Sequence, residues 1–265
     1  MNLNQWQSVT IDLSAYDNKD NIQIWFSGNI TSTSDDGYWG YQCDFALDNI
    51  VVSSDANGVT NWYVDDSGND DSNTGLTSGS PFATIANALN HSESGTGVTI
   101  NVAAGTYTEE DLTIERSNIT ISGAGSAQTI FDGDLDGRFA TISANNVTIQ
   151  NMTIKEYGVA SSCTTSGSCG GGAIVVGASN TGFTVNSVIF DGNIANGTSG
   201  DGGAIEFYTG SSSTINSTIF KNNRAGNTAS ASLSGYNGGA TKTNGTATVT
   251  FNNCIFYDNQ CRTNG

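Results

Sequence analysis

Three aspartates at alternating positions, Asp132, Asp134 and Asp136, are followed by a basic side chain, Arg138. The D-x-D-x-D-G spacing is that of a calcium loop, in which carboxylates at alternating positions converge on one ion. Calcium beside an Arg or Lys base is the arrangement that a lyase needs to remove a proton from a polyuronate. The segment is therefore a candidate calcium site next to a candidate base.

Three basic residues near this loop are the candidate bases: Arg138, Arg116 and Lys155. The alternative is that they are ordinary surface charges and that the loop is a solvated turn. The twelfth position of the calcium pattern is Ser143 rather than a bidentate Glu, which favours this alternative. No Ser–His or Cys–His arrangement can be assembled around His91, the only histidine.

A second acidic segment lies earlier in the chain and contains Asp66, Asp70 and Asp71. Its carboxylates make it a second candidate calcium site. The alternative is a plain surface turn.

Aromatic residues cluster near the N-terminus, at Trp25, Tyr38, Trp39 and Tyr41. Exposed aromatic rings stack on sugar rings, so these residues are candidates for a glycan-binding platform. The alternative for Trp25 is a place in the core of a sandwich, where large aromatic residues are commonly buried.

Five cysteines are present, and four of them form two closely spaced pairs. Cys163 and Cys169 bracket a short loop, and Cys254 and Cys261 flank another, so each pair is a candidate local disulfide. Disulfides would indicate an oxidising, extracellular setting. Buried thiols are the alternative, because connectivity does not follow from sequence.

Composition and charge exclude several classes of partner. The 265 residues contain 8 Lys and Arg against 25 Asp and Glu, giving a net charge of −17. Nucleic acid would be repelled, because affinity for it depends on cations at the phosphates. No apolar run approaches the roughly 18 residues of a membrane span. Residues 1–25 lack the pattern of a signal peptide, and we expect the chain to be a piece of a longer protein.

Two landmarks recur in step along the second half of the chain. Gly-Gly-Ala occurs at 171–173, 202–204 and 238–240, and each copy is followed by Phe-x-x-Asn at 190–193, 220–223 and 256–259 respectively, with the last two units 36 residues apart. Such recurrence indicates one copied supersecondary unit. Short alternating strands without intervening helices predict stacked coils, each with two or three strands, which is a parallel β-helix.

One amphipathic helix is predicted before the coils. Ser80 is a suitable N-cap with Pro81 at the first helical position. Phe82, Ile85 and Leu89 follow at helical spacing. This helix would cover the open end of the stack, as terminal caps do in repeat proteins.

The segments Tyr63-Val-Asp-Asp-Ser-Gly-Asn-Asp and Pro81-Phe-Ala-Thr-Ile-Ala-Asn-Ala-Leu, with Gly105-Thr-Tyr, resemble the N-terminal cap of right-handed parallel β-helix (pectin-lyase-like) proteins. The Gly-Gly-Ala and Phe-x-x-Asn units resemble polymorphic outer-membrane protein repeats. The resemblance covers residues 62–265 and implies an all-β fold, a right-handed parallel β-helix with an N-terminal cap helix. Because this fold hosts lyases, hydrolases, adhesins and structural rods, it does not determine the activity.

Residues 1–54 resemble part of a jelly-roll β-sandwich, through Asp12-Leu-Ser and Asp48-Asn-Ile, and residues 55–61 are predicted to be a linker. Half a sandwich cannot bury both of its sheets. We therefore expect this segment to be incomplete or to rest on a neighbour.

Two functional hypotheses follow. The first is a non-catalytic β-helical stalk or adhesin of a large secreted or cell-surface protein, with polysaccharide or cell-surface glycan as partner. The second is a calcium-dependent polysaccharide lyase or a related carbohydrate-active enzyme. An ice- or crystal-binding rod is a third, for which the sequence shows outward threonines only around Thr246, Thr248 and Thr250. Open strand edges at the ends of such a stack would favour end-to-end self-association.

Overall fold

A computed structural model of the chain describes residues 59–92, 97–159, 169–196, 200–226 and 237–261. The chain divides into two units, 1–55 and 56–265, and all the described residues belong to the second. The predicted sandwich segment, 1–54, lies outside the described residues. The predicted boundaries of segment, linker and β-helix therefore stay predictions.

The described residues form short strands whose apolar side chains alternate with polar ones, as expected for strands with one buried face. In chain order, the elements before the second coil are β1 (Asn61–Val64), α1 (Ile85–His91), β2 (Val98–Val102), β3 (Gly105–Tyr107) and β4 (Leu112–Ile114). The second and third coils contain β5 (Ile119–Gly123), β6 (Thr129–Asp132), β7 (Ala140–Ile142), β8 (Thr148–Gln150), β9 (Thr153–Lys155), β10 (Gly158–Val159) and β11 (Ile174–Val176). The fourth contains β12 (Thr181–Asn186), β13 (Ile189–Asp191), β14 (Ile194–Ala195) and β15 (Ile205–Phe207). The last two contain β16 (Ser212–Asn216), β17 (Ile219–Lys221), β18 (Arg224–Ala225), β19 (Thr241–Thr243), β20 (Thr248–Asn252), β21 (Ile255–Tyr257) and β22 (Gln260–Cys261).

Each coil contributes one strand to each of three or four sheets. Sheet A has the order β1-β2-β5-β8-β12-β16-β20, sheet B β3-β6-β9-β13-β17-β21, sheet C β4-β7-β11-β15-β19, and sheet D β10-β14-β18-β22. Every pairing between these strands is parallel. The chain therefore winds through the sheets in turn, and the predicted parallel β-helix is confirmed.

The core fills the space between the sheets. One column of rings runs along the inner side of sheet B, where Phe190, Phe220 and Phe256 stack with centroids 5.0 and 4.8 Å apart. These are the phenylalanines of the Phe-x-x-Asn units, in direct register across β13, β17 and β21. The repeated Phe therefore places one ring per coil in this column. The last ring, that of Phe256, has a described coil on one side only.

The asparagines of the same units form a second internal column. Asn193 and Asn223 are fully buried. Asn193 donates through Nδ2 to Asn223 Oδ1 at 3.0 Å, and Asn223 donates to Asn259 Oδ1 at 2.9 Å. The same oxygens also accept from backbone amides of the preceding coil. These contacts satisfy backbone groups at the corner after sheet B, where they would otherwise be unpaired.

The paired glycines lie at the corner that leads into sheet C. Gly171, Gly202 and Gly238 have φ of 62°, 63° and 67°, a left-handed conformation that costs Gly little. A Cβ at Gly202 would lie 2.3 Å from the carbonyl oxygen of Ile205. Backbone conformation and close packing therefore both require Gly here.

The cap helix begins later than predicted, at Ile85 with Thr84 as its N-cap. Residues before it are extended, because Phe82 pairs with Val64 and its N–H donates to the Tyr63 carbonyl. The prediction of a start at Ser80 is therefore wrong. The helix packs on β1 and β2 and buries Leu89 and neighbouring side chains in the core. Within the described ranges, no helix is long and apolar enough to cross a membrane.

Candidate functional site

The outer face of sheet A displays one threonine on each of six successive coils. Parallel register places these side chains beside one another at about 4.8 Å, so the row is roughly 24 Å long. One hydroxyl, that of Thr184, donates to the Gly182 carbonyl at 3.4 Å, and the other five have no partner among the described residues. The row, named the threonine rank, consists of Thr99, Thr120, Thr148, Thr184, Thr214 and Thr250.

A second outward row runs parallel to the first, two residues further along each strand. Its side chains are partly joined by hydrogen bonds: Gln150 donates to Ser122 at 3.2 Å, and Asn252 donates to Asn216 at 2.9 Å. Asn216 in turn donates to Asn186 at 2.8 Å. These bonds hold the amides in fixed orientations. The row, named the polar rank, consists of Tyr63, Asn101, Ser122, Gln150, Asn186, Asn216 and Asn252.

The expectation that outward threonines occur only around Thr246, Thr248 and Thr250 is wrong. The six rank members are 21, 28, 36, 30 and 36 residues apart, because the connections between the sheets differ in length, most of all those that lead from sheet B to sheet C. A variable period conceals the row in the sequence. The recurring signal is instead local: each Thr lies between two inward residues, as in Ile119-Thr-Ile and Val249-Thr-Phe.

A cleft of about 290 Å³ lies at the N-terminal end of the polar rank. One wall is the first three members of that rank and the corner after them, and the other is the loop between β1 and α1. The lining residues are Tyr63, Val64, Asp65, Ser78, Pro81, Asn101, Val102, Ala103, Ser122, Gly123 and Ala124. The cleft thus offers an aromatic ring, hydroxyls, an amide and one carboxylate.

Arg138 lies at the corner before β7. Its Nε donates to the Gly171 carbonyl at 2.9 Å, and its Nη2 donates to the Gly170 carbonyl at 2.8 Å. Burial lowers the pKa of the guanidinium, which is still a cation at neutral pH. The side chain therefore tethers the glycine corner of the next coil. Its role as a catalytic base stays a prediction.

A buried carboxylate on the outer side of sheet C was not predicted. Glu206 is 5% exposed, and its Oε1 accepts from Asn244 Nδ2 at 2.7 Å. Its Oε2 has no hydrogen-bond partner among the described residues. Burial raises the pKa of Glu206, and the hydrogen bond from Asn244, a contact with the Tyr208 side chain and the charge of Arg138 oppose this rise. Gly170 packs so closely that a Cβ there would overlap Oε2. The alternation of apolar and polar residues did not indicate that Glu206 is buried, because Glu206 occupies an outward position of its strand.

Lys155 and Asp132 meet on the outer face of sheet B, where Nζ and Oδ2 are 2.6 Å apart. This contact lowers the pKa of Asp132 and raises that of Lys155. The next two coils repeat the arrangement, with Lys221 Nζ 2.9 Å from Asp191 Oδ2. The two charged pairs form one column of alternating sign along the face. Lys155 is thus engaged by the carboxylate that was predicted to bind calcium.

The remaining members of the predicted site do not gather around one point. Asp134 and Asp136 are exposed in the turn after β6, where the Asp136 carboxylate accepts from the Gly137 N–H at 3.1 Å. Arg116 is partly exposed between sheets C and A, whereas Lys155 ends a strand of sheet B. Within the described residues, no group of three or more His, Cys, Asp or Glu side chains could hold a metal ion. Calcium at this loop stays a prediction.

The second acidic segment is built around the start of the cap helix. Asp70 accepts from the Ala83 and Thr84 amides at 2.8 and 3.2 Å, and from the Thr84 hydroxyl at 2.7 Å. Glu109 accepts from the next two amides, those of Ile85 and Ala86, at 2.7 and 3.0 Å. Two carboxylates thus satisfy the first free donors of the helix. Asp66 and Asp71 make no comparable contact in the described part, and calcium binding there stays a prediction.

The cysteines differ from expectation at one of the two predicted pairs. Cys254 and Cys261 are thiols, so the predicted disulfide between them is wrong. Cys254 precedes β21 and packs against the core, whereas Cys261 lies in β22 of sheet D, so β21 separates them. Cys169 is buried and disulfide-bonded. Cys163 lies outside the described residues, and its pairing stays a prediction.

The predicted glycan platform of Trp25, Tyr38, Trp39 and Tyr41 also lies outside the described residues. No described feature bears on it. The platform therefore stays a prediction.

Comparisons with known proteins give structural likenesses only. No protein-family model matches the sequence, and no curated protein is significantly similar to it. Pectin methylesterase PemA from Erwinia chrysanthemi is 17% identical, over 62% of this chain and 54% of that one, with a TM-score of 0.37. Pectin methylesterase from Yersinia enterocolitica is 16% identical, over 66% and 54%, with a TM-score of 0.40. A rhamnogalacturonan lyase is 14% identical, over 77% and 60%, with a TM-score of 0.39.

This chain thus spans a little more than half the length of the pectin methylesterases. Likenesses at this level identify neither a substrate nor an activity.

Proposed function

We propose that this chain is a non-catalytic β-helical segment of a large secreted or cell-surface protein, and that it binds polysaccharide along the outer face of sheet A. The main support is the threonine rank with the polar rank beside it. Together they form a long strip of regularly spaced hydroxyl and amide groups without ionised side chains.

The regular spacing indicates a ligand that is itself periodic. Six weak contacts act together only when the ligand presents a matching group at each step along the rod. A small soluble ligand would meet one or two members of the rank and gain little from the rest. An extended polysaccharide repeats its hydroxyls along the chain and can donate to, and accept from, threonine and amide groups alike.

The competing lyase hypothesis would require an available base. In the described residues, Arg138 donates to two backbone carbonyls and Lys155 is paired with Asp132. Two of the three candidate bases therefore have structural partners, which supports a non-catalytic role, and the third, Arg116, is partly exposed between sheets C and A. An extracellular location is part of the proposal, and the disulfide at Cys169 supports it, because disulfides persist mainly in oxidising compartments.

The proposal is tested with the 265-residue chain on insoluble and soluble polysaccharides, with and without calcium. We expect retention on at least one polysaccharide and no unsaturated product from pectate or alginate. Calcium-dependent product that disappears in Arg138→Ala would overturn the proposal in favour of a lyase. Failure to bind any polysaccharide would also overturn it.

A triple variant locates the binding face. Thr120→Val, Thr148→Val and Thr184→Val together remove three hydroxyls from the rank and keep β-branched side chains in the strands. We expect binding to weaken about a hundredfold, at roughly 1 kcal/mol for each of the three lost hydrogen bonds. The matched control is Thr113→Val with Thr141→Val, which changes outward threonines of sheet C. Growth inhibition of ice crystals by the wild type, lost in the triple variant, would instead support the ice-binding hypothesis.

A further inference from the structure

We propose that the cleft between the cap loop and the first two coils is the subsite that receives one sugar unit of a neutral polysaccharide. This inference rests on the proposed function and adds the chemical class of the ligand. Its starting point is position. Tyr63, Asn101 and Ser122 line the cleft and are also the first three members of the polar rank. A chain bound along sheet A would therefore run directly into the cleft.

Two of the lining residues have unused hydrogen-bonding capacity. Asn101 donates through Nδ2 to Asn61 and to the Trp62 carbonyl, both at 3.2 Å, which orients its amide and leaves Oδ1 as an acceptor. Ser122 accepts from Gln150, so its own O–H remains as a donor. The lining thus pairs an oriented amide acceptor with a hydroxyl donor on neighbouring coils.

Tyr63 supplies the apolar surface that a sugar ring needs. It is the outward residue between buried Trp62 and Val64, and it is partly exposed. Its backbone is held by two hydrogen bonds of 2.9 Å, from its N–H to Gly75 and from the Phe82 N–H to its carbonyl. The ring therefore projects from a rigid strand. A platform of this kind binds with little loss of conformational entropy.

The negative charge of the cleft favours a neutral ligand over an anionic one. Asp65 is the ionisable carboxylate of the lining, and its hydrogen bonds from the Ser67 hydroxyl and amide, at 2.6 and 2.9 Å, lower its pKa. The group is therefore ionised at neutral pH. No Lys, Arg or His is among the lining residues to offset it. A uronic acid carboxylate would meet this charge without a compensating cation, whereas a neutral sugar could donate a hydroxyl to it.

Size limits the ligand to a short segment. Pockets for drug-sized molecules measure about 300–1,000 Å³, so this cleft of about 290 Å³ is just below that range. It has room for a single sugar unit rather than a run of them. The remaining units of the polymer would lie along the two ranks.

The experiment compares short and long ligands by calorimetric titration. Cellotriose, mannotriose and xylotriose are the neutral probes, and trigalacturonate is the anionic one. We expect at least one neutral trisaccharide to bind, and trigalacturonate to bind at least tenfold more weakly or not at all. Tyr63→Ala should weaken the neutral trisaccharide about tenfold, the loss typical of one aromatic contact. Ser122→Ala, a smaller change on a different coil, should weaken it in the same direction.

The triple threonine variant separates this inference from the proposed function. It should weaken polymer binding by a larger factor than trisaccharide binding, because only the two trisaccharide units outside the cleft can meet the substituted threonines. Polymer binding by the wild type that survives Tyr63→Ala, with no binding of any neutral trisaccharide, would overturn the subsite and leave the proposed function intact. Trisaccharide binding that depends on Tyr63, without polymer binding, would support the cleft and overturn the role of the ranks. Preference for trigalacturonate would overturn the assignment of a neutral ligand.

Discussion

At the scale of single residues, Glu206 is the least expected side chain of the fold. Its carboxylate is buried on the outer side of sheet C with one oxygen bonded to Asn244 and the other unpaired in the described part. A buried charge without full compensation opposes folding. Because burial raises its pKa above the ordinary value of 4.5, the carboxyl holds its proton to a higher pH in the folded chain than in the unfolded chain.

This shift has a definite sign in the pH dependence of stability. The contribution of Glu206 is most favourable below about pH 4.5, and it declines as pH rises through the raised folded pKa. We expect Glu206→Gln, which keeps the acceptor for Asn244, to melt a few degrees above the wild type at pH 7. At pH 4 the difference should shrink or vanish.

Thermal melts at several pH values measure this effect, with Glu115→Gln as the control at an exposed position. A variant that is less stable than the wild type at pH 7 would show that Tyr208 and Arg138 favour the ionised form more than burial disfavours it.

At the scale of elements, the sequence correctly predicts that the chain forms stacked coils, but it does not predict which residues line up on their outer faces. The Phe-x-x-Asn units mark buried columns correctly, because Phe220 and Asn223 recur at fixed positions relative to one corner. The threonine rank is missed, because connections of unequal length hide its period. The helix start is missed because Phe82 is pulled into a bridge with Val64, and tertiary pairing overrides the capping signal of Ser80. The burial of Glu206 is not predicted, because the residues that cover it belong to other coils.

The internal asparagine column gives a prediction at this scale. Asn223 accepts from the Asn193 N–H at 3.0 Å and donates to the Phe190 carbonyl at 3.0 Å, in addition to its two contacts with neighbouring amides. Asn223→Ala would leave both backbone groups unpaired in the core. We expect a loss of about 2–4 kcal/mol in the free energy of unfolding.

Urea unfolding measures this loss, and Asn216→Ala is the matched control. Asn216 makes similar side-chain bonds in the polar rank, but it is partly exposed, so water can replace them. The control should lose less than about 1 kcal/mol. Equal losses in the two variants would mean that the buried column has no special part in the stability of the stack.

At the scale of the whole stack, the last described coil has an exposed layer of apolar side chains, whereas the corresponding layer of each earlier coil is covered by the next coil. Phe251 is 38% exposed and Phe256 is 45% exposed, and Ile255 and Tyr257 are 55% and 45% exposed. Phe256 lies on Phe220 with its ring nearly parallel, at 6°, so its opposite side presents the same flat surface. Among the described residues, the strands β20 and β21 of this coil are also the last strands of their sheets, and such edges can pair with a further strand.

Such an end is complementary to another coil, either from a longer chain or from a second copy. We therefore expect the 265-residue chain to associate end to end, with its sedimentation coefficient rising over a range of micromolar concentrations. Phe251→Lys with Phe256→Lys places two charges on the exposed layer and should shift the chain to monomer. Thr250→Lys is the control, because it adds a charge to the same coil but points outward from sheet A. The control could disperse the assemblies as well as the double variant does. That result would mean that general charge repulsion, or a contact through the outer face of sheet A, accounts for the effect, and that the exposed apolar layer is not the surface through which the chains associate.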